Sequence, residues 1–203
     1  YPRLGFDSFK CGEDMDVPQT EEHGYVSDDS DFEQIIWEFE HKDESTPLFL
    51  FNVTIQNHGS YTVEDYPAEV QLADEPGAYP KAEQYLTLAN KTDEAFKKLI
   101  DYFSAQTEPT ILVMFGDHQP SVEQEFLDKA YGVTQDEMTM AQYMDKFKVP
   151  FIIWANYPLT GDSTKITSLN FLAQYVLRNA GIETSAYGKY LWNLQKTIPA
   201  MTF

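Results

Sequence analysis

Residues 111–120 read ILVMFGDHQP: five apolar residues, a glycine, then an acid and an imidazole side by side, Asp117 and His118. A carboxylate offers a hard oxygen and a histidine a borderline nitrogen, a donor pair suited to Mn²⁺, Mg²⁺ or Zn²⁺. Successive residues of a strand point to opposite faces, so both can serve one ion only where the strand has ended. Gly116 marks such an end. The competing reading has Asp117 capping the helix that starts near Ser121, with His118 on the surface. A second histidine follows a similar run, since TPLFLFNVTIQN (46–57) leads straight into His58 and Gly59. Taken alone, His58 reads as a turn residue. Ligands of open α/β sheets bind outside the carboxyl ends of the strands, and glycine lets the backbone turn sharply there. If the two strands are parallel neighbours, His58, Asp117 and His118 converge on one sheet edge.

Other chemistry-bearing residues are weaker candidates. The acidic runs CGEDMD and SDDSD lack the ligand spacing of a calcium loop and read as solvated loop and helix-start acids. His23 and His41 lie in polar stretches and are expected to be exposed. Asn52-Val53-Thr54 matches a glycosylation sequon but falls inside an expected buried strand. Trp154 and Trp192 fit core packing. There is no G-x-S-x-G turn for a serine nucleophile and no glycine-rich phosphate loop. Cys11 is the sole cysteine, which excludes an internal disulfide and a CxxC metal site.

The elements that must position these residues follow from periodicity. SDDSDFEQIIWEF combines acids at a helix start with Phe32, Ile35, Ile36 and Phe39 at helical spacing. Residues 46–57 are β-branched and aromatic and read as a strand covered on both faces. After a loop over 61–80, residues 81–106 form the strongest amphipathic helix, with Leu88, Thr92, Ala95, Phe96, Leu99 and Phe103 on one face. TILVMF and VPFIIWAN supply two more buried strands. Helices are expected from SVEQEFLDKAYG, with Ser121 and Gln124 as a capping pair, and from TQDEMTMAQYMDKF, TSLNFLAQYVLRNAG and YGKYLWNLQ. Alternating strands and helices predict an α/β fold, a layered helix-sheet-helix arrangement with a largely parallel sheet.

The chain has 203 residues and a formal net charge of −19, so its surface repels phosphate backbones and nucleic-acid binding is excluded. Hydrophobic residues make up 42%, enough for a packed core rather than a disordered chain. No apolar run is long enough to span a bilayer, and no signal peptide is present. The chain opens on Tyr1-Pro2 without an initiator methionine, as an excerpt from a longer protein would.

With FNVTIQNHGSY, YLTLANKTDEAFKKLIDYF, TILVMFGDHQP and VPFIIWAN in this order, the chain resembles the sulfatase family. The resemblance is to the lipoteichoic-acid-synthase-like branch of the alkaline phosphatase superfamily and runs over nearly all residues, 1–203. It implies an incomplete alkaline-phosphatase-like fold, the C-terminal portion of a catalytic domain whose N-terminal portion precedes Tyr1. It implies a parent enzyme of the sulfuric-ester hydrolase or phosphotransferase type. That parent would act on phosphate or sulfate esters, lipid-linked ones included, by hydrolysis or by glycerol-phosphate transfer in cell-envelope polymer synthesis. By the same resemblance the parent is a bacterial protein, tethered to the membrane and facing the exterior, with one divalent metal (Mn, Mg or Ca). Asp117 and His118 match the metal ligands of the family's GDH motif. His58 matches the histidine that contacts the transferred group. The nucleophile and an acidic metal ligand are absent from the chain, since Cys11 lies in KCGED rather than the context sulfatase maturation requires. The piece alone is therefore expected to be inactive, and to self-associate through surface its other half would cover. Two rivals stand beside this reading: a two-metal enzyme of the same superfamily, and a non-catalytic cell-envelope module.

Overall fold

The computed structural model describes residues 2–64, 66–160 and 166–201. It divides into two compact units, Tyr1–Tyr102 with Pro120–Glu137, and Phe103–Gln119 with Met138–Phe203.

The first unit begins with two short 3-10 turns and a small antiparallel hairpin, β1 (Glu21–Glu22) and β2 (Tyr25–Val26). Its two-residue loop is His23-Gly24, with φ of 55° and 81°. Two successive positive φ values are what a tight hairpin turn of this hand requires. Helix α1 (Asp28–His41) follows, capped by Ser27, whose hydroxyl accepts from the Ser30 amide, and its first turn carries Asp28, Asp29 and Asp31. Those acids sit at the positive end of the helix dipole. Helix α2 (Pro80–Ser104) buries Ala82, Leu88, Ala95, Phe96 and Leu99, and Phe96 meets Phe32 of α1 edge-on at 6.2 Å.

Helix α3 (Gln124–Tyr131) starts later than the capping pair predicted, because Glu123 rather than Ser121 precedes its first turn. Glu123 itself accepts from the Lys81 and Ala82 amides, at 2.8 and 3.0 Å. The longer acidic side chain thus satisfies free N–H groups at the start of α2.

Residues 46–57 depart most from expectation. They run without any strand ladder, and Phe49 and Val53 are each 76% exposed. High β-propensity describes a fit to a pleated surface, and no strand among the described residues pairs with this segment. The strand covered on both faces is therefore not formed here.

In the second unit, β3 (Ile111–Phe115) pairs with β4 (Phe151–Ala155), register Ile111↔Ala155 to Phe115↔Phe151. The pairing is antiparallel, as is that of β1 with β2, so the expected largely parallel sheet does not appear among the described residues. Both strands are only partly buried, and Ile152 and Phe115 face solvent. Between them lies the short helix α4 (Met140–Asp145), held by a reciprocal Thr139–Gln142 capping box. Helices α5 (Leu169–Asn179) and α6 (Ala186–Leu194) pack together and bury Phe171, Leu172 and Leu191. Gly188 permits that approach, since a Cβ there would lie 2.5 Å from Gln174 Oε1. The chain is thus an α/β protein whose main helices fall where predicted, with α3 starting later and the helix expected over 134–147 confined to α4, and whose strands pair differently.

Candidate functional site

Each histidine-bearing turn belongs to a different unit, His58 to the first and Asp117-His118 to the second. In the first, the segment turns inward at Gln56, which is 1% exposed. Gln56 Oε1 accepts from the Asp28 amide at 2.9 Å, while its Nε2 donates to the Leu88 carbonyl and to Thr92 Oγ1. Asn57 Nδ2 also donates to Thr92 Oγ1, at 2.7 Å, and the Asn57 carbonyl accepts from Tyr61 OH. Thr92 in turn donates to Asp28 Oδ2 at 2.5 Å. The two residues before His58 are thereby tied to the starts and faces of two helices.

His58 itself is exposed. Its Nδ1 lies 2.7 Å from the Gly59 carbonyl, and a carbonyl only accepts, so Nδ1 carries the proton. Nε2 is the ring nitrogen outside that contact. The ring of Tyr25 stands edge-on to the imidazole at 6.0 Å. Behind Tyr25 lies His23, which is 8% exposed rather than solvated as its polar neighbours suggested. Tyr61 stacks on it and Tyr66 meets it edge-on, and neither ring nitrogen has a hydrogen-bond partner among the described residues. The hairpin turn folds it inward, which a polarity count along the sequence does not register. His41 is exposed as expected, with its ring stacked on Trp37.

Asp28 is fully buried and its Oδ1 has no hydrogen-bond partner of normal geometry among the described residues. Burial pushes its carboxyl up to about 6, against the pull of the Thr92 hydroxyl, with the Asp31 charge adding to the rise and Thr54 opposing it weakly. Asp31 is also raised by burial, although Asn52 donates to it at 2.6 Å. The exposure of Val53 removes the buried strand as a reason for discounting the Asn52 sequon, although Asn52 Nδ2 is engaged by Asp31. In sequence, Asp28 is one acid of SDDSD, and nothing separates it there from its solvated neighbours.

In the second unit, β3 is anchored at its start by Asn156. Its side chain accepts from the Thr110 amide and donates to the carbonyls of Phe103, Gln106 and Glu108. At the other end, the Gly116 amide donates to the Pro150 carbonyl. A Cβ on Gly116 would stand 3.2 Å from Val149 Cβ, so glycine suits this close passage. Gln119 Nε2 donates to the Lys148 carbonyl and closes the loop from beyond.

Asp117 and His118 are brought together on that loop. Asp117 Oδ1 accepts from the His118 amide, so it caps its own turn and no helix. His118 Nδ1 lies 2.9 Å from the Gln119 carbonyl and must donate to it, which leaves the Nε2 lone pair 3.4 Å from Asp117 Oδ2. Ligands about 2.1 Å from one ion stand roughly 3.0 Å apart in octahedral and 3.4 Å apart in tetrahedral geometry. A histidine ligand also ordinarily donates its other ring N–H to a carbonyl or carboxylate. The pair therefore fits one divalent cation as two of its ligands. No cluster of three or more such residues occurs among the described residues. A complete coordination set needs donors beyond this pair.

Comparison with known proteins places this geometry in context. The sulfatase family model matches residues 1–182. A Rhizobium meliloti (strain 1021) protein named for cyclic beta-1,2-glucan modification is 29% identical over 202 residues, covering 94% of this chain and 30% of its own length. The capsular polysaccharide biosynthesis protein RkpI of the same organism is 29% identical over 119 residues, covering 59% of this chain and 20% of its own. Among solved structures, Streptococcus pyogenes phosphoglycerol transferase GacH, in complex with sn-glycerol-1-phosphate, superposes with a TM-score of 0.76 at 19% identity. That match covers 97% of this chain and 49% of GacH. The chain thus spans under a third of each curated relative and about half of the solved one.

Proposed function

The chain belongs to the sulfatase family, and from that premise we propose that it is the C-terminal portion of a metal-dependent phosphoester-transferring domain. The observation that carries this reading is the Asp117-His118 pair, with Nε2 and Oδ2 3.4 Å apart and Nδ1 committed to a backbone carbonyl. Asp117 and His118 would hold one divalent cation of the Mn, Mg or Ca kind, together with acidic and other donors from chain outside residues 1–203. When bound, such a cation lowers the pKa of a hydroxyl nucleophile and neutralises ester oxygens. His58 faces the transferred group through Nε2. As the imidazolium it donates to an ester oxygen or to the departing alcohol, and as the neutral ring it accepts the proton of an attacking hydroxyl.

Phosphate esters are preferred over sulfate because the solved relative GacH is a phosphoglycerol transferase bound to sn-glycerol-1-phosphate. The names of the two curated relatives favour a polysaccharide of the cell envelope as acceptor. The donor is then a lipid-linked phosphoglycerol, and the enzyme works at the outer face of the cell membrane through a tether outside this chain. No helix among the described residues is long and apolar enough to cross a membrane. The exposed segment 46–57 becomes an inner strand of a largely parallel sheet completed by the rest of the domain. With nucleophile and remaining ligands supplied from there, residues 1–203 alone are inert and tend to self-associate.

The test uses the complete gene product with Mn²⁺ and either phosphatidylglycerol or an aryl phosphate. Turnover is expected, with loss in Asp117→Asn and His118→Ala. Residues 1–203 alone should show none with Mn²⁺, Mg²⁺ or Ca²⁺. Full turnover by the complete His118→Ala protein would remove the metal assignment. Turnover by residues 1–203 that His118→Ala abolishes would show the shorter chain to be sufficient.

A further inference from the structure

We infer that Asp28 is a positioning residue for His58: its buried carboxylate orients the Thr92 hydroxyl, which holds Gln56 and Asn57 and so sets the turn that presents the imidazole. The inference rests on the proposed role of His58 in contacting the transferred group, but its geometry stands on the first unit alone.

Thr92 has one hydroxyl proton and two acceptors within reach, Asp28 Oδ2 at 2.5 Å and the Leu88 carbonyl at 3.1 Å. The carboxylate is the nearer and the charged one, so it takes the proton. Both Thr92 lone pairs then face the amide groups of Gln56 and Asn57, at 3.2 and 2.7 Å. The same Asp28 residue also gives its backbone N–H to Gln56 Oε1. Gln56 is therefore gripped at both ends of its amide, and Asn57 at its side chain and, through Tyr61, at its carbonyl. The next residue is His58, whose backbone amide donates to the Ile55 carbonyl at 2.9 Å and whose ring reaches the Gly59 carbonyl. Its placement depends on the turn that Gln56 and Asn57 complete.

Packing alone does not require a carboxylate at position 28. An amide would occupy the same space without the cost of burying a charge, which desolvation penalises despite the Thr92 and Thr54 hydroxyls. What an amide loses is polarity of one sign, since it can turn its NH₂ toward Thr92 and occupy a lone pair that Gln56 or Asn57 needs. A carboxylate can only accept. Substitutions at Thr92 isolate the same link, because valine matches threonine in shape without the hydroxyl, whereas serine keeps the hydroxyl.

The experiment has two arms. In ¹⁵N-labelled residues 1–203, at mildly alkaline pH where Asp28 is ionised, Thr92→Val and Asp28→Asn should shift and broaden the signals of Gln56, Asn57 and the His58 ring. Thr92→Ser should restore them, and signals of the second unit should not move. In the complete gene product, Thr92→Val and Asp28→Asn should lower kcat about 10- to 100-fold with KM little changed, and Thr92→Ser should recover it. If Thr92→Val does not fold, Asp28→Asn and Thr92→Ser decide. Folded variants with an undisturbed His58 turn and unchanged kcat overturn the inference. Full activity in His58→Ala overturns instead the functional reading, whichever way the ring signals move.

Discussion

His58 and the Asp117-His118 pair both follow an apolar run and both lean on glycine, yet they are held by different means. Before His58, side chains do the holding: Gln56, Asn57, Thr92 and Asp28 form a buried network between helices. Around Asp117 and His118 the backbone does it, through Pro150, Lys148 and the Gln119 carbonyl, and both side chains lie largely in solvent at 84% and 75% exposure. A group that meets a flexible ester gains from a turn fixed in advance. A metal-ligand pair needs mutual spacing first, and the ion with its further ligands then completes the ordering. Under the proposed function the first region is thus finished within this chain, and the second is half of a metal site.

Four experiments press on that contrast. The largest effect is expected at the unfinished region. Asp117→Asn or His118→Ala in the complete enzyme should cut turnover by about a thousandfold, since a lost ligand costs more than the 10- to 100-fold typical of its outer-shell supports. In the shorter chain the same changes should leave thermal stability nearly unchanged, because both side chains are largely exposed. A falling melting temperature would mean that the loop is structural.

At the finished region the effect is on stability and depends on pH. Folding raises the Asp28 carboxyl from 3.8 to about 6. Its contribution is then fullest below pH 4, where both states are protonated, and is lost as pH rises through 6. Over that span the wild-type chain should lose about 3 kcal/mol relative to Asp28→Asn, measured by urea unfolding at each pH. Parallel curves for the two proteins would show that Asp28 is not buried as a charge.

Exposed apolar residues of 46–57 supply the third test. Phe49→Lys with Val53→Lys should raise the concentration needed for self-association of residues 1–203 about tenfold, by sedimentation. A wild-type chain that stays monomeric at all concentrations would count against an uncovered strand. Smallest is the cap. Glu123→Ala should cost about 1 kcal/mol through the free amides of Lys81 and Ala82, and Ser121→Ala less than about 0.5 kcal/mol. Equal losses would restore Ser121 as the helix start.

Helices were legible in the sequence because their signal is local. The acids of SDDSD ahead of Phe32 and the 3.6-residue spacing of Leu88, Ala95 and Leu99 are contained within a few turns. The candidate residues were legible too, as side-chain types beside glycine at the ends of apolar runs. Strand partners were not. Nothing in ILVMF or FIIWA says whether the two run together or opposed, and they pair antiparallel. Nor does SDDSD reveal which acid is buried, or EEHGY that His23 turns inward.

By itself the sequence determined the helices, the apolar segments and the donor types at Asp117, His118 and His58, since these depend on spacing and on chemistry carried by neighbouring residues. Only the tertiary structure decided which strands share a ladder, that Asp28 lies in the core, and that Thr92 links it to the turn before His58. Those contacts join residues 35 to 64 positions apart, and their geometry is set by helix packing that no local pattern encodes.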